Sequence, residues 1–362
     1  MMEWLKEIDR DVIACFLREN QISYRENFYL KYETYFKRGG VAAFYIMPRS
    51  SEDLIALIAF LKEREVSWKC IGFTSNLFFF DELYYGVIIS TKGMTNLIVN
   101  ERCVTVECGY SLQDLVRVAL VNGLGGLEGL EGVPGTVGGA LFMNAGAYGF
   151  TISDCLAAVT VITPEGNICK LSKEDCGFKN RSSIFREQEG YIILSAEFHL
   201  PPVDKVRSAN FIETFHIARH SYQEFAYPNL GSMFSVSGDF YREFFSSPKF
   251  YKLQCMLLKI LFKNPVAKFI FRRKPNNAPF NWLAYRKSPS LSFLNYSPSK
   301  KSMNILVNDG GSTTFDFLEY IAAVKANLRS ETPIENELVV STANLETVIA
   351  KRILKKINEL GL

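Results

Sequence analysis

The sequence predicts an α+β protein: two successive mixed units followed by a third, less regular region. Three observations carry this. Strand-like and helix-like runs alternate between residues 41 and 200, a glycine-rich passage (Gly126 to Gly149) lies inside that span, and Pro201-Pro202 ends it. The expected divisions are 1–95, 96–203 and 204–330. A late strand at about 336–345 is assigned to the second unit, and a basic, aromatic insertion to 239–300 of the third.

The elements follow in order. Leu5, Ile8, Val12 and Phe16 mark one face of an N-terminal amphipathic helix rather than a signal peptide. VAAFYIMP (41–48) is strand-like, and Ser50 with Asp53 opens a helix whose buried face is Leu54, Ile55, Leu57, Ile58 and Leu61. WKCIGF and GVIIST continue as strands. In the second unit NLIVN and CVTVECG alternate, and Ser111 with Asp114 caps a helix ending at Gly123. AAVTVIT and ICKLS flank a P-E-G-N turn, and YIILSAEFHL is the last strand before the prolines. The third region opens with the helical SANFIETFHIARHSYQEF and closes with TTFDFLEYIAAVKANLR, capped by a threonine near Asp316. A strand, ELVVST, and a basic C-terminal helix complete the chain.

Composition narrows the class. At 362 residues, 48% hydrophobic and 22% charged, the chain is a folded protein with a sizeable core. A net charge of +3 gives no argument for nucleic acid, and none is expected as a partner. Eight cysteines without a C-x-x-C pair point to reduced thiols. The three histidines lie in no metal motif: His216 and His220 have i,i+4 spacing but lack the H-E-x-x-H glutamate, so no metal is expected. No apolar run reaches the roughly 20 residues of a membrane span, and the expected location is cytoplasmic, or at most peripheral.

The glycine passage GLEGLEGVPGTVGGALFMNAGAYG is too short for a collagen rod and contains neither G-x-G-x-x-G nor a P-loop. It is either a set of structural turns or a loop whose bare backbone lets N–H groups converge on an anion. Asn144, Ala147 and Tyr148 are not needed for turning and read as ligand-facing. A shorter loop of the same flavour, IGFTSNLF at 71–78, also follows a strand, so the pair suggests one extended, phosphate-bearing cofactor.

LEGVPGTVGGALFMNAGAYG closely resembles the flavin-binding signature of the UDP-N-acetylenolpyruvoylglucosamine reductases. RGG (38–40), GFTSN (72–76), NRSSIF (180–185), LGSMF (230–234), ILVNDGGSTTFDFLEYI (305–321) and NELVV (336–340) fit that family in order. The resemblance implies a PCMH/VAO-like, two-subdomain FAD-binding fold followed by an α+β substrate domain. It also implies FAD as cofactor, NADPH as reductant and a nucleotide-sugar substrate. Cofactor contacts are expected from Gly72, Thr74, Ser75, Asn76 and Leu77 in the first loop. In the second they are expected from Gly132, Pro134, Gly135, Thr136, Gly138, Gly139, Asn144, Gly146, Ala147, Tyr148 and Gly149. No histidine precedes His199, so the flavin is expected to be held non-covalently.

The family reaction reduces an enol ether, sending hydride to the terminal enolpyruvyl carbon and a proton to the carbon beside the carboxylate. It calls for fixed charge where charge develops, a proton donor on one face, and a water-poor pocket. By resemblance Arg181 pairs with the carboxylate, Ser232 donates the proton and Glu337 shares stabilisation of the intermediate. Tyr191 is either a substrate contact or a half-buried strand aromatic.

The chain departs from the family in places. Phe73 and Thr74 stand where glycine is usual, and Asn180 where tyrosine precedes the arginine. Ser235-Val236-Ser237 replaces Lys-Asn-Pro, whose lysine meets nucleotide phosphates in the family. From Asp239 to Lys274 nine Lys/Arg face two acids, net +7. That segment suits an amphipathic element on an anionic membrane, a helix packed with its bases outward, or a replacement phosphate site.

Overall fold

In the computed structural model, two short strands far apart in sequence, β4 (Leu77–Phe79) and β15 (Glu337–Val339), pair in parallel, Glu337 opposite Leu77. From sequence the late strand is expected in the second mixed unit. Its partner is instead the LFFF run, whose Phe78, Phe79 and Phe80 are fully buried. The structure describes residues 7–236, 238–263, 277–292, 294, 296, 298–340 and 347–359. These fall into two units. One takes the chain up to Phe28, Val41–Thr74 and Tyr84–His216; the other takes Tyr29–Gly40, Ser75–Leu83 and Ile217 onward.

The first unit holds two sheets. In the four-stranded sheet the order is β1 (Ser23–Tyr29), β2 (Val41–Met47), β5 (Tyr84–Ser90), β3 (Trp68–Ile71), with β2 and β3 both parallel to β5. Helix α2 (Ser51–Glu63) begins where the sequence places it, because the Ser50 hydroxyl accepts from Asp53 N at 3.1 Å. Its Leu54, Leu57, Ile58 and Leu61 are buried, and Phe60 stacks on Phe16 of α1 (Glu7–Glu19) at 4.0 Å.

The second sheet is antiparallel throughout, in the order β11 (Ile168–Ser172), β10 (Leu156–Ile162), β12 (Ile192–His199), β7 (Cys103–Glu107), β6 (Leu97–Asn100). The P-E-G-N turn joins β10 to β11, with Ile162 opposite Ile168. Helix α3 (Leu112–Val121) is capped by Ser111, which accepts from Asp114 N, and ends beside Gly123 in the left-handed region (φ +72°).

The core of the second unit is aromatic, which is where much of the unusual phenylalanine content resides. Phe36, Phe78 and Phe317 form a mutually tilted trio with centroids 5.4–5.6 Å apart, and Tyr296 bridges Phe317 to Tyr320. Helix Thr314–Lys325 supplies Phe317 and Tyr320, and a capping box between Thr313 and Asp316 fixes its start. Arg38 is buried here. It binds Asp81 at 2.6 Å and the Ser312 carbonyl at 2.6 Å, and lies over the Phe317 ring. These contacts tie residues 29–40 and 75–83 to the C-terminal part of the chain rather than to the strands that flank them in sequence.

Candidate functional site

The glycine passage is two structures joined end to end. Its first half is scaffolding. A Cβ on Gly126 would lie 2.5 Å from Cys155 Sγ, and one on Gly129 would lie 2.5 Å from the Ala147 carbonyl. Two buried carboxylates moor this half to α6 (Lys205–Tyr222): Glu128 accepts from Gly126 N and from the Ser208 hydroxyl, and Glu131 takes Arg117 and His216. Gly132 then turns the chain in the left-handed region (φ +80°), ahead of Pro134 and Gly135.

The second half begins at Thr136, whose hydroxyl caps the short helix α4 (Val137–Phe142) by accepting from Gly139 N at 3.2 Å. Gly138 has a packing reason, since its Cβ would meet Cys108 Cβ at 2.9 Å; so has Gly146, against Thr151. Gly139 and Gly149 meet no such obstacle: a Cβ on the former would touch only Thr136 Oγ1, at 3.4 Å, and around the latter the space is open. The second predicted loop meets the first here. A Cβ on Gly72 would fall 2.4 Å from Thr136 Oγ1, so bare backbone is required for the loop after β3 to lie against the cap.

Asn144 links this loop to the predicted catalytic arginine. Its Nδ2 donates to the Lys179 carbonyl at 2.9 Å, and Ser183 Oγ donates to the Phe142 carbonyl at 2.8 Å. Lys179 and Ser182 bridge across a tight turn with Asn180 and Arg181 at its tip. Glu187 steadies that turn by accepting from Ser182 and Lys179, which together hold its carboxyl below the usual range. Arg181 sits at φ +55°. Among the described residues nine non-glycine residues have positive φ, and four of them, Thr74, Asn144, Tyr148 and Arg181, are predicted site residues. Such strain concentrates where function over-determines the backbone.

Not every expected ligand-facing group is free for a ligand. Tyr148 stacks on Phe215 of α6 at 4.6 Å, and Ala147 lies in a two-residue strand, β8 (Gly146–Ala147), paired with β9 (Phe150–Thr151). Tyr191 precedes β12, half-buried and edge-on to Phe185.

The second unit assembles Ser232 and Glu337. Ser232 ends β13 (Asn229–Ser232), paired with β14 (Ile305–Val307), and follows Gly231 in the left-handed region (φ +68°). Past it, Phe234 is clipped to Asn304, whose Oδ1 accepts from Phe234 N and whose Nδ2 donates to the Phe234 carbonyl, and Glu335 N donates to the Met233 carbonyl at 2.7 Å. Buried Asn336 donates to the Leu230 carbonyl and to Asn76 Oδ1, both at 2.9 Å, while Asn76 Nδ2 donates to the Glu335 carbonyl and Glu337 N to the Asn76 carbonyl. Segments 75–77, 230–234 and 333–337 are therefore knotted together. The Asn76 side chain, expected on the cofactor, is engaged in that knot, beside Ser75 and Leu77. Arg181 belongs to the first unit, Ser232 and Glu337 to the second.

The residues fit a flavin nucleotide. Asn144 Oδ1 is buried and meets no protein hydrogen-bond partner, an acceptor that an imide N–H would satisfy, and FAD carries one. Ser90 Oγ, equally buried and unpartnered, lies at the C-terminal end of β5 opposite Ile71, just before the Gly72 loop. Ligands gather at such strand ends. Ser90 was not singled out from sequence; its one signal was a serine closing the apolar strand GVIIS. Among the described residues no group of three His, Cys, Asp or Glu side chains could hold a metal ion.

The family model for an FAD binding domain matches residues 42–172. The UDP-N-acetylenolpyruvoylglucosamine reductase of Carboxydothermus hydrogenoformans is 41% identical over 210 residues, 58% of this chain and 69% of that protein. The enzyme of the same name from Caldanaerobacter subterraneus is 34% identical over 237 residues, 66% and 78% of the two chains. The crystal structure of the Thermus caldophilus reductase superposes with a TM-score of 0.61 at 23% identity, covering 88% of this chain and 98% of that one. That likeness, together with the matched FAD binding domain, confirms the FAD-binding α+β fold. Its sequence relatives establish that the chain belongs to the UDP-N-acetylenolpyruvoylglucosamine reductase family.

Proposed function

We propose that the protein reduces the enolpyruvyl group of UDP-N-acetylglucosamine enolpyruvate to give UDP-N-acetylmuramate, for peptidoglycan synthesis in the cytoplasm. The observation that carries this is Asn144. One end of its amide holds the turn bearing Arg181, and the other is a buried acceptor with no protein partner, next to the glycine loop.

The Gly72 loop and the Gly132–Gly149 loop would hold FAD non-covalently, and the cofactor, once reduced by NADPH, would supply the hydride that the terminal carbon of the substrate requires. Arg181 binds the carboxylate and stabilises the negative charge that develops on it, with Glu337 sharing that task. The Ser232 hydroxyl delivers the proton to the carbon beside the carboxylate; a hydroxyl is a weak acid, so this works only toward a strongly basic carbon. The left-handed backbone at Arg181, and the Asn76–Asn336 knot around Ser232 and Glu337, hold these groups in place before the substrate arrives.

A second reading, the same chemistry on a related nucleotide sugar, is favoured by Ser235 and Val236, which stand where the family has Lys-Asn. The free cysteines suit a reducing compartment. Among the described residues no helix is long and apolar enough to cross a membrane, and contact with a membrane surface through 239–274 is part of the proposal.

Ser232→Ala tests the assignment. It should keep its flavin and its reduction by NADPH, yet lose about 10²–10⁴-fold in turnover with the enolpyruvyl sugar. Unchanged turnover would remove Ser232 from the mechanism.

A further inference from the structure

Helix α8 (Lys249–Lys263) has a well-packed side and an unpartnered one. Cys255 is buried against the Tyr241 carbonyl, and Tyr251 donates to the Arg286 carbonyl on the neighbouring helix Ala278–Lys287. On the other side Phe250, Leu253, Met256, Leu257, Ile260 and Leu261 recur at i, i+3, i+6, i+7, i+10 and i+11, each between 49% and 62% exposed. At 100° per residue these six occupy one continuous arc of about 140°. Scattered exposed apolar residues are ordinary, but six aligned on one helix call for a partner.

The charge on the same helix selects that partner. KFYKLQCMLLKILFK has four lysines and no acid. Lys259 is held by Asp239 at 3.3 Å, whereas Lys252 is exposed at the edge of the apolar arc and Lys249 is exposed within it, at the first residue of the helix. A second copy docking symmetrically through this face would set lysines against lysines. An anionic bilayer instead takes the apolar arc among its acyl chains and the lysines at its phosphates. Trp282, 57% exposed on the neighbouring helix with Arg286 over its ring at 4.9 Å, is a residue type that favours the same boundary. The geometry points to α8 as an in-plane anchor, about 22 Å long, that docks the protein on an anionic membrane surface. Of the basic segment read from sequence, AKFIFRRK (267–274) lies outside the described residues. The inference rests on the membrane reading and not on the catalytic one, so flavin assays and vesicle assays fail separately.

The test is flotation of the FAD-loaded protein with vesicles of phosphatidylcholine and phosphatidylglycerol, against phosphatidylcholine alone. Binding should require the anionic lipid and weaken with salt. It should vanish in Leu253→Glu/Leu257→Glu, and fall about fivefold for each of Lys249→Gln and Lys252→Gln. Retained flavin content and turnover identify the variants as folded. Failure to float with either vesicle overturns the inference, as does equal binding to both. So does a dimer in sedimentation velocity that the double glutamate variant abolishes, which would assign the face to a second copy.

Discussion

Gly72→Ala perturbs the meeting point of the two cofactor loops. The new methyl would lie 2.4 Å from Thr136 Oγ1 and 3.2 Å from Cγ2, so the threonine must rotate. Rotation breaks the cap to Gly139 N, at about 1 kcal/mol, and strands a hydroxyl on a residue only 1% exposed, at about 1–3 kcal/mol more. The single variant should lose about 2–4 kcal/mol. Thr136→Ala alone loses the cap, about 1 kcal/mol, and removes the atoms the methyl strikes. In that background Gly72→Ala meets only a Cβ at 3.4 Å, an ordinary contact, so the double variant should be no less stable than Gly72→Ala alone. The coupling should be about 2–4 kcal/mol, measured by urea unfolding monitored by circular dichroism on the apoprotein. Additive losses would show that Gly72 and Thr136 do not meet this way, and would remove the reason for glycine at 72.

Asn336→Ala removes two buried hydrogen bonds, to Asn76 and Leu230. It should lower turnover while leaving FAD content unchanged, since the knot it breaks carries Ser232 and Glu337; loss of flavin with intact turnover per bound flavin would refute that role. Alkali should also destabilise the fold. Burial pushes the Cys108 thiol well above its ordinary 9.0 and the Tyr241 hydroxyl from 10.0 up to about 12. Above pH 9 the folded chain therefore holds protons that the unfolded chain has released. The thiol's contribution is complete below pH 9 and declines as pH rises past it; that of Tyr241 declines between 10 and about 12. Cys108→Ala should lose about 1 kcal/mol less than the parent between about pH 9 and 10; equal losses would place the thiol in solvent.

Much of the fold was legible because its signals are local. Ser50, Ser111 and Thr313 announce helices through spacings of three residues, and P-E-G-N announces a hairpin. The glycine signature was legible as a ligand loop, but not which glycines serve packing: Gly138 is explained by Cys108, thirty residues earlier, and sequence spacing carries no sign of that. The β4–β15 pairing was illegible for the same reason. Two three-residue strands about 260 positions apart have no periodicity to read, and their register is set by Asn76, which bonds to residues 335, 336 and 337. Asn76 looked like a cofactor ligand because polar residues after a strand do not reveal which neighbour they will meet. The apolar arc of α8 is hidden differently: aromatic and basic residues interleave in both a packed and a lipid-facing helix, and only exposure in the folded chain separates them.

The most direct test of the central claim is anaerobic. The FAD-loaded protein is reduced with NADPH while the flavin absorbance is followed, and UDP-N-acetylglucosamine enolpyruvate is then added. Bleaching by the pyridine nucleotide, then reoxidation by the sugar with formation of UDP-N-acetylmuramate, is the predicted result. A flavin that bleaches and stays bleached in the presence of the sugar would contradict the assignment of substrate, and with it the roles given to Arg181, Ser232 and Glu337.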